Sequence, residues 1–181
     1  DFKRFLSGEL TPIYFGSALN NFGMLEVLES FVKYAPKPQG RLLDDGSSIS
    51  PDASDFSAFV FKVQANMNPG HRDRVAFCRV CSGSYENGQK LFHVSSGKFI
   101  QNTQAVGFLG QSRQSIDQAL PGDIIGLINH GSIALGDTFY SKKIKHLKFQ
   151  GMCKFAPEIF KQVQLKDPLK SKQLTTGLIQ L

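Results

Sequence analysis

The sequence predicts a mainly β protein, in which an antiparallel β-barrel has a strand and a helix on either side of it. Between Phe56 and about Phe155, short runs rich in Val, Ile and Phe alternate with turn signals such as "NPG", "ENG", "PGD" and "NHG". Many short strands at this spacing are typical of antiparallel barrels and sandwiches. With 41% hydrophobic and 20% charged residues, the 181-residue chain has the composition of an ordinary globular protein.

The first 38 residues predict a strand and a helix. Ile13 to Phe15 form a short apolar run that ends at Gly16, as a buried strand would. After a loop, apolar residues recur at spacings of three and four until Pro36, which predicts an amphipathic helix. These residues are Met24, Leu25, Val27, Leu28, Phe31 and Val32. A strand, a loop and a helix in this order are typical of the last unit of an α/β domain.

The segments around the barrel set the predicted domain boundaries. Residues 39–55 are rich in Gly, Ser and Asp with almost no periodicity, so we expect an exposed, mobile linker there. The barrel then occupies residues 56–155. Residues 156–181 contain "PEIFKQVQL", whose alternation predicts a strand. Asp167 is placed to cap a following helix, with Pro168 at the first helical position.

Three general features of the chain predict its cellular location, the state of its cysteines and its relation to a longer protein. No run approaches the roughly 20 apolar residues that cross a bilayer, and the first residues lack a signal-peptide pattern, so we expect a cytosolic protein. Three cysteines are an odd number, which favours reduced thiols over a disulfide framework. The chain has no initiator Met and ends within the last predicted helix. We therefore expect it to be a piece of a longer protein.

Positive charge is concentrated in the predicted barrel. The formal net charge of the chain is +6, and residues 56–155 alone contribute +7. A basic domain of this kind can contact an anionic surface, of which nucleic acid is the usual example. The densest cluster is "SKKIKHLKF", which contains Lys142, Lys143, Lys145 and Lys148. The alternative for this cluster is a solvated edge strand whose lysines prevent aggregation.

Cys78 and Cys81 have the C-x-x-C spacing of redox and zinc sites. The surrounding "RVAFCRVCSG" has the composition of a strand, in which residues three apart face opposite sides of the sheet. No second pair of Cys or His stands at a zinc-finger spacing. We therefore expect two ordinary strand thiols and no metal site, with a metalloenzyme or a thiol enzyme as the alternative.

Two other motifs approach catalytic signatures but fail at defining positions. "HRD" at residues 71–73 matches the start of a kinase catalytic loop, but Cys78 stands where the magnesium-binding Asn belongs. "GSYENGQK" nearly spells a phosphate-binding loop, but Gln89 displaces the Lys by one position. Asn87 and Gly88 lie between apolar runs and predict a β-hairpin, because both residue types tolerate positive φ. The residues alone therefore offer no catalytic site.

A longer stretch carries a family resemblance. The pattern "FVFK…RVAFxRVxSGxxxxGxKL" resembles the second domain of translational GTPases, a β-barrel that follows the nucleotide-binding domain. With "QANMNPGHRDR" in its loop, it resembles the family of bacterial peptide chain release factor three, the class II release factors. "PGDIIGLINHGSIALGDTF" is similar to the later barrel strands, and "FAPEIFKQVQLKDPLKSKQLTTGLIQL" to the opening of the third domain. The resemblance covers essentially the whole chain.

The resemblance implies an identity for each segment. Residues 1–38 would be the C-terminal end of an α/β GTPase domain, residues 56–155 domain II, and residues 156–181 the start of an α+β domain III. Gly16, Ser17 and Ala18 match the family's last guanine-contacting loop. A tight turn after a strand can aim backbone N–H groups at a base carbonyl.

The resemblance also limits the activity expected of this chain. The phosphate loop, both switch segments and the Asn-Lys-x-Asp base reader of the family are absent from the sequence. Phosphate and magnesium contacts supply most of the binding and catalysis in such enzymes. GTP or GDP and Mg²⁺ are thus implied for a parent protein, while this chain is expected to hold no cofactor and to hydrolyse no GTP.

The implied function is translation termination in the cytoplasm. The parent would be a ribosome-dependent GTPase that promotes release and recycling of the stop-codon-decoding release factors. Its second domain would dock on small-subunit ribosomal RNA, with no membrane partner. On charge density, the expected RNA contacts are Arg72, Arg74, Lys142, Lys143, Lys145 and Lys148.

Two alternative functions remain open on the sequence. One is an elongation or ribosome-protection factor of the same superfamily. The other is a freestanding barrel that binds single-stranded nucleic acid, which would expose aromatic side chains along a basic groove.

Overall fold

The computed structural model describes residues 1–65, 74–101, 104–109, 112–129, 131–143, 147–151 and 158–179. The chain divides into two compact units, Asp1–Gln39 and Gly40–Leu181. No helix in the described ranges combines the length and the apolar character that crossing a membrane requires.

The first unit contains two helices. Helix α1 spans Phe2–Leu6 and helix α2 spans Met24–Tyr34, which confirms the predicted amphipathic helix. Helix α2 ends before Pro36, which cannot donate the next helical hydrogen bond. The predicted strand at residues 13–15 is wrong: this segment forms no strand, and the Phe15 side chain is 87% exposed. A strand needs a neighbour for its backbone hydrogen bonds, and the described residues of this unit supply none.

The described part of the second unit contains twelve strands. They are β1 Arg41–Leu42, β2 Ser48–Ile49, β3 Ser57–Ala65, β4 Arg74–Ser82, β5 Tyr85–Glu86, β6 Lys90–His93, β7 Lys98–Gln101, β8 Ala105–Leu109, β9 Ser112–Ile116, β10 Gln118–Ala119, β11 Ile124–Asn129 and β12 Thr138–Tyr140. Eight of them form one antiparallel sheet in the order β7-β6-β12-β3-β4-β11-β8-β9. This sheet curls into a half-barrel, so the predicted mainly β fold class is confirmed.

The inner face of the half-barrel holds the main core. Strand alternation turns Ala76, Cys78 and Val80 of β4 to this face, and all three are fully buried. Other members of this core are Phe56, Ala58, Val60, Tyr85, Leu91, Ala105, Ala119, Ile125, Leu127, Ile133 and Phe139. Because these residues come from strands throughout the sheet and from the β5–β10 pair, one apolar cluster holds the curled sheet together.

The turn at Asn87-Gly88 forms, but the predicted hairpin does not. The Gln89 N–H donates to the Glu86 carbonyl at 3.0 Å, and Gly88 has φ 80°. Strand β5 then pairs with β10, and β6 pairs with β7 and β12. The core residue Tyr85 explains this pairing, because it lies opposite Ala119 and both side chains are buried.

Residues 40–50 differ from the exposed, mobile linker that their composition predicts. Strands β1 and β2 pair, and Leu43 between them is buried and bridges to Phe149. These two residues, with Phe59 and Cys81, form a second apolar cluster on the outer face of the sheet. Burial of Leu43, packing of the partly buried Ile49 and the backbone pairing of β1 with β2 together stabilise the ribbon. The domain boundaries themselves remain a prediction.

The C-terminal segment contains the predicted helix without the predicted strand. Residues 158–165 form no strand, and Ile159 and Phe160 are about four-fifths exposed. A 3-10 turn at Pro168–Lys170 leads into helix α3, Ser171–Ile179. The Asp167 carboxylate accepts from the Leu169 N–H at 3.1 Å, which confirms the predicted cap.

Candidate functional site

The Gly16–Gly23 loop of the first unit is a closed, hydrogen-bonded turn. Ser17 and Phe22 exchange both backbone hydrogen bonds, at 2.9 and 3.0 Å. A Cβ on Gly16 would lie 2.8 Å from the Phe22 carbonyl oxygen, and one on Gly23 would lie 2.6 Å from the Phe15 carbonyl oxygen. Both glycines are therefore required for the chain to close on itself.

This geometry decides which backbone groups of the loop can meet a ligand. The Ser17 N–H is already used, and the Ser17 Oγ accepts from the Asn20 N–H at 3.3 Å. The Ala18 N–H makes no hydrogen bond within the described residues, and Ala18 is exposed. Of the three predicted residues, Gly16 and Ser17 therefore shape the turn, whereas Ala18 lies between them and Phe22 with an N–H that the turn does not use.

The predicted RNA-contacting residues fall into separate places. The Lys142 Nζ lies 2.7 Å from Asp55 Oδ1, and Lys143 beside it is exposed. Lys148 is also exposed, and its backbone exchanges hydrogen bonds with Asp44 next to the β1–β2 ribbon. These three lysines therefore surround one edge of the half-barrel. Carboxylates lie among them, so the edge is less positive than the sequence run indicates.

Arg74 is far from those lysines. It begins β4, whereas Ser82 at the other end of β4 donates to the Asp55 carbonyl next to Lys142. A nine-residue strand separates its ends by roughly 26 Å. Arg74 instead lies against Gly131. Arg72 and Lys145 lie outside the described residues, so the six predicted contacts form no single described patch.

The two strand thiols lie on opposite faces of the sheet. Cys78 belongs to the inner core, and Cys81 packs in the outer cluster beneath the β1–β2 ribbon. Burial raises the pKa of the Cys78 thiol far above its ordinary value, and burial also raises the pKa of Cys81 to about 11. No group of three metal-ligating side chains occurs in the described part of the chain. The prediction that these two cysteines lie in one strand and face opposite sides of the sheet is confirmed.

One polar cluster of the half-barrel went unnoticed in the sequence. The His93 Nε2 lies 2.9 Å from Asp137 Oδ2, and the Ser96 Oγ lies 3.0 Å from His93 Nδ1. Ser95 donates to the other oxygen of Asp137 at 2.6 Å. The members lie up to 44 positions apart without a shared motif, so no sequence signal brings them together.

This cluster has the residue types of a hydrolytic triad but the environment of a structural pair. The N–H of Gly97, which follows Ser96 in the chain, already bonds to the His93 carbonyl at 2.9 Å and so is not free to stabilise an oxyanion. Burial of Asp137 opposes its ionisation, but hydrogen bonds from His93, Ser95 and the Ala134 N–H outweigh it and lower the pKa of its carboxyl. A stable carboxylate inside such a network holds loops together.

Eight strands form a curled antiparallel half-barrel, and the separate β5–β10 pair adds Tyr85 and Ala119 to its core. Residues 55–142 match the family described as elongation factor G domain 2. The matched range runs from just before β3 to just after β12, and so contains the whole eight-stranded sheet. This part of the chain is therefore similar to the second domain of a translational GTPase.

Proposed function

We propose that this chain is part of a translational GTPase and that its half-barrel acts as a ribosome-docking and interdomain module. The match of residues 55–142 to elongation factor G domain 2 carries the proposal. The basic excess of residues 56–155 supports it, because contacts with ribosomal RNA phosphates need cationic side chains. Small-subunit ribosomal RNA is the proposed partner, and the cytoplasm the proposed location.

Within this superfamily, we propose a release factor of class II. The support is the stretch "QANMNPGHRDR", which resembles the family of bacterial peptide chain release factor three; residues 66–73 of it lie outside the described residues. The parent would bind GTP or GDP with Mg²⁺ and promote release and recycling of the decoding release factors on the ribosome.

An elongation factor is the second candidate. The observation that favours it is the family match itself, which is to a domain of elongation factor G. The two candidates differ in what the full-length parent does on ribosomes. A termination factor would accelerate dissociation of a decoding release factor after peptide release, whereas an elongation factor would accelerate translocation.

The Gly16–Gly23 loop has a role only in the parent. Its Ala18 N–H would contact the guanine carbonyl, while the phosphate and magnesium contacts would come from sequence that this chain lacks. We therefore expect no GTP hydrolysis by this chain. Phosphate release above a buffer blank would contradict that expectation.

Co-sedimentation with purified small ribosomal subunits across a salt series tests docking. We expect retention at low salt that falls steeply as salt rises, because each phosphate contact releases counterions. A variant with Lys142, Lys143 and Lys148 changed to Gln should lower the salt slope by about one for each phosphate that these lysines neutralise.

A charge-matched variant is the control for this experiment. Changing Lys161, Lys166 and Lys172 to Gln removes the same charge from positions beyond the half-barrel. If the two variants show the same salt dependence of retention, the RNA contact does not involve Lys142, Lys143 and Lys148. Retention that does not change with salt concentration would show that docking does not depend on phosphate contacts.

A further inference from the structure

The outer face of the half-barrel carries a row of aromatic rings that the docking proposal does not use. The Phe61 and Phe77 ring centroids are 6.4 Å apart, and those of Phe77 and Phe108 are 5.3 Å apart. The three side chains come from β3, β4 and β8 and are half-buried, so part of each remains open to solvent. We call Phe61, Phe77 and Phe108 the aromatic row.

The position of the row follows from strand alternation. Ala76 and Cys78 face the inner core, so Phe77 between them faces outward. The register of β3 against β4 shifts between Val60 and Lys62, which inserts Phe61 as an extra residue on the outer side. The shift places Phe61 and Lys62 together beside Phe77. The Lys62 Nζ lies 5.5 Å from the Phe77 ring centroid.

The row is anchored at one end. Phe59 on the same face is buried, with its ring 6.4 Å from that of Phe61 and 5.9 Å from that of Phe149 under the β1–β2 ribbon. The row thus begins beside a packed cluster and continues onto a face that is half open to solvent. Such anchoring holds the rings in place before a ligand arrives, which lowers the entropy that binding must offset.

The charge around the row is mainly positive. Strands β3, β4, β8, β9 and β11 contain no Asp or Glu, and by alternation and register Lys62, Arg79 and Arg113 lie on the same face as the row. Arg79 is exposed and lies in register opposite Phe59. Asp123, just before β11, accepts from the Leu120 N–H at 2.8 Å and keeps its negative charge, but Lys62, Arg79 and Arg113 outnumber it. The face therefore complements a polyanion.

We propose that the aromatic row, with Lys62 and Arg79, binds unpaired nucleotides by stacking bases on the exposed parts of the rings. Flat aromatic faces with adjacent cations are the features that single-stranded nucleic acid requires, since every base has a π-face and every nucleotide a phosphate. A duplex keeps its bases stacked inside, so it gains only the phosphate contacts. The site uses other residues than the lysines proposed for ribosome docking.

The test is fluorescence anisotropy with a labelled single-stranded RNA of about 12 nucleotides, which lies within the usual site sizes. The comparison ligands are the duplex of the same sequence and inorganic polyphosphate. We expect the single strand to bind most tightly. Phe77→Leu, which keeps the apolar packing but removes the π-face, should weaken that binding about tenfold and leave polyphosphate binding unchanged.

The matched control is Phe99→Leu, because Phe99 is an exposed aromatic residue on the edge strand β7, away from the row. Absence of single-strand binding at low salt would overturn the proposal. The proposal would also be overturned if Phe77→Leu and Phe99→Leu weakened single-strand binding equally, or if Phe77→Leu weakened polyphosphate binding as well. Ribosome co-sedimentation is not part of this test, so the two proposals fail separately.

A second measurement covers the case in which Phe77→Leu does not fold. In the wild-type chain with labelled phenylalanines, titration with the single strand should shift the ring resonances of Phe77 and Phe108 in the NMR spectrum. The fully buried Phe139 ring provides the internal reference. Shifts confined to residues away from the row would reject it as the binding surface.

Discussion

His93 and Asp137 form a buried close pair that joins two loops of the half-barrel. The imidazole Nε2 lies 2.9 Å from the carboxylate, and only 3% and 10% of the two side chains are exposed. His93 ends β6, while Asp137 precedes β12, which pairs with β6. The Ala134 N–H also donates to Asp137 at 2.6 Å. One carboxylate therefore holds the β6–β7 turn and the loop before β12 together.

Replacing this carboxylate should weaken the fold. Asp137→Asn loses the charge that His93, Ser95 and the Ala134 N–H all bind. We expect the free energy of unfolding, measured with urea, to fall by about 2–3 kcal/mol, because hydrogen bonds to charged groups contribute most when they are buried. Asp52→Asn at an exposed position is the control and should change little. Equal stability of both variants would show that the network contributes nothing.

The same carboxylate predicts a dependence of stability on acid. The pKa of Asp137 in the folded chain lies below its ordinary value of 3.8. Its contribution is then fully present above the unfolded pKa, and is lost as pH falls through the folded value. We expect the thermal midpoint of the wild type to drop below about pH 4, and Asp137→Asn to show a smaller drop. If the thermal midpoints of the two proteins fell in parallel from neutral to strongly acidic buffer, Asp137 would not be the source of the acid dependence.

Some features of the fold could be predicted from the sequence because they depend on residues that are close together in the chain. The cap at Asp167, the end of α2 before Pro36 and the opposite faces of Cys78 and Cys81 all depend on residues within one turn or one strand. Such features follow from short-range geometry, and the sequence predicts them correctly.

The features that the sequence missed depend on distant partners. The segment at residues 13–15 has strand composition but finds no neighbouring strand among the described residues. Leu43 is buried against Phe149, more than a hundred positions away, and against Phe59 and Cys81 of the sheet. The aromatic row likewise requires the pairing order of the sheet, which places β4 and β8 on either side of β11. Composition and periodicity cannot supply such pairings.

The two strand thiols should resist alkylation in the folded chain. Burial raises the pKa of Cys81 to about 11, and Cys78 is inaccessible inside the core. At about pH 8, the thiolate fraction of Cys81 would be about a hundredfold lower than that of an ordinary thiol. The measurement is the iodoacetamide reaction rate of a Cys153→Ser variant, which isolates these two thiols, with the urea-unfolded protein as the reference. Equal rates before and after unfolding would show that the thiols are not buried.

Gly83 provides the sharpest test of how the chain enters the half-barrel. Its φ is 63°, and a Cβ there would lie 2.5 Å from the Phe56 backbone nitrogen and 2.6 Å from the Asp55 carbonyl carbon. Its N–H donates to the Ala53 carbonyl at 2.9 Å, so residues 53–56 run directly over it. We expect Gly83→Ala to lower the unfolding free energy by about 3–4 kcal/mol, because left-handed strain and a backbone clash add.

Gly97 separates these two causes, because its φ of 67° is nearly the same but a Cβ there would meet nothing within 4 Å. Gly97→Ala should therefore lose only the conformational part, about 1 kcal/mol. Urea unfolding of both variants measures the difference directly. A large gap between them assigns the cost to the contact of Gly83 with the Asp55–Phe56 backbone. If the two losses were equal, the close approach of that segment to β4 would not be a feature of the fold in solution.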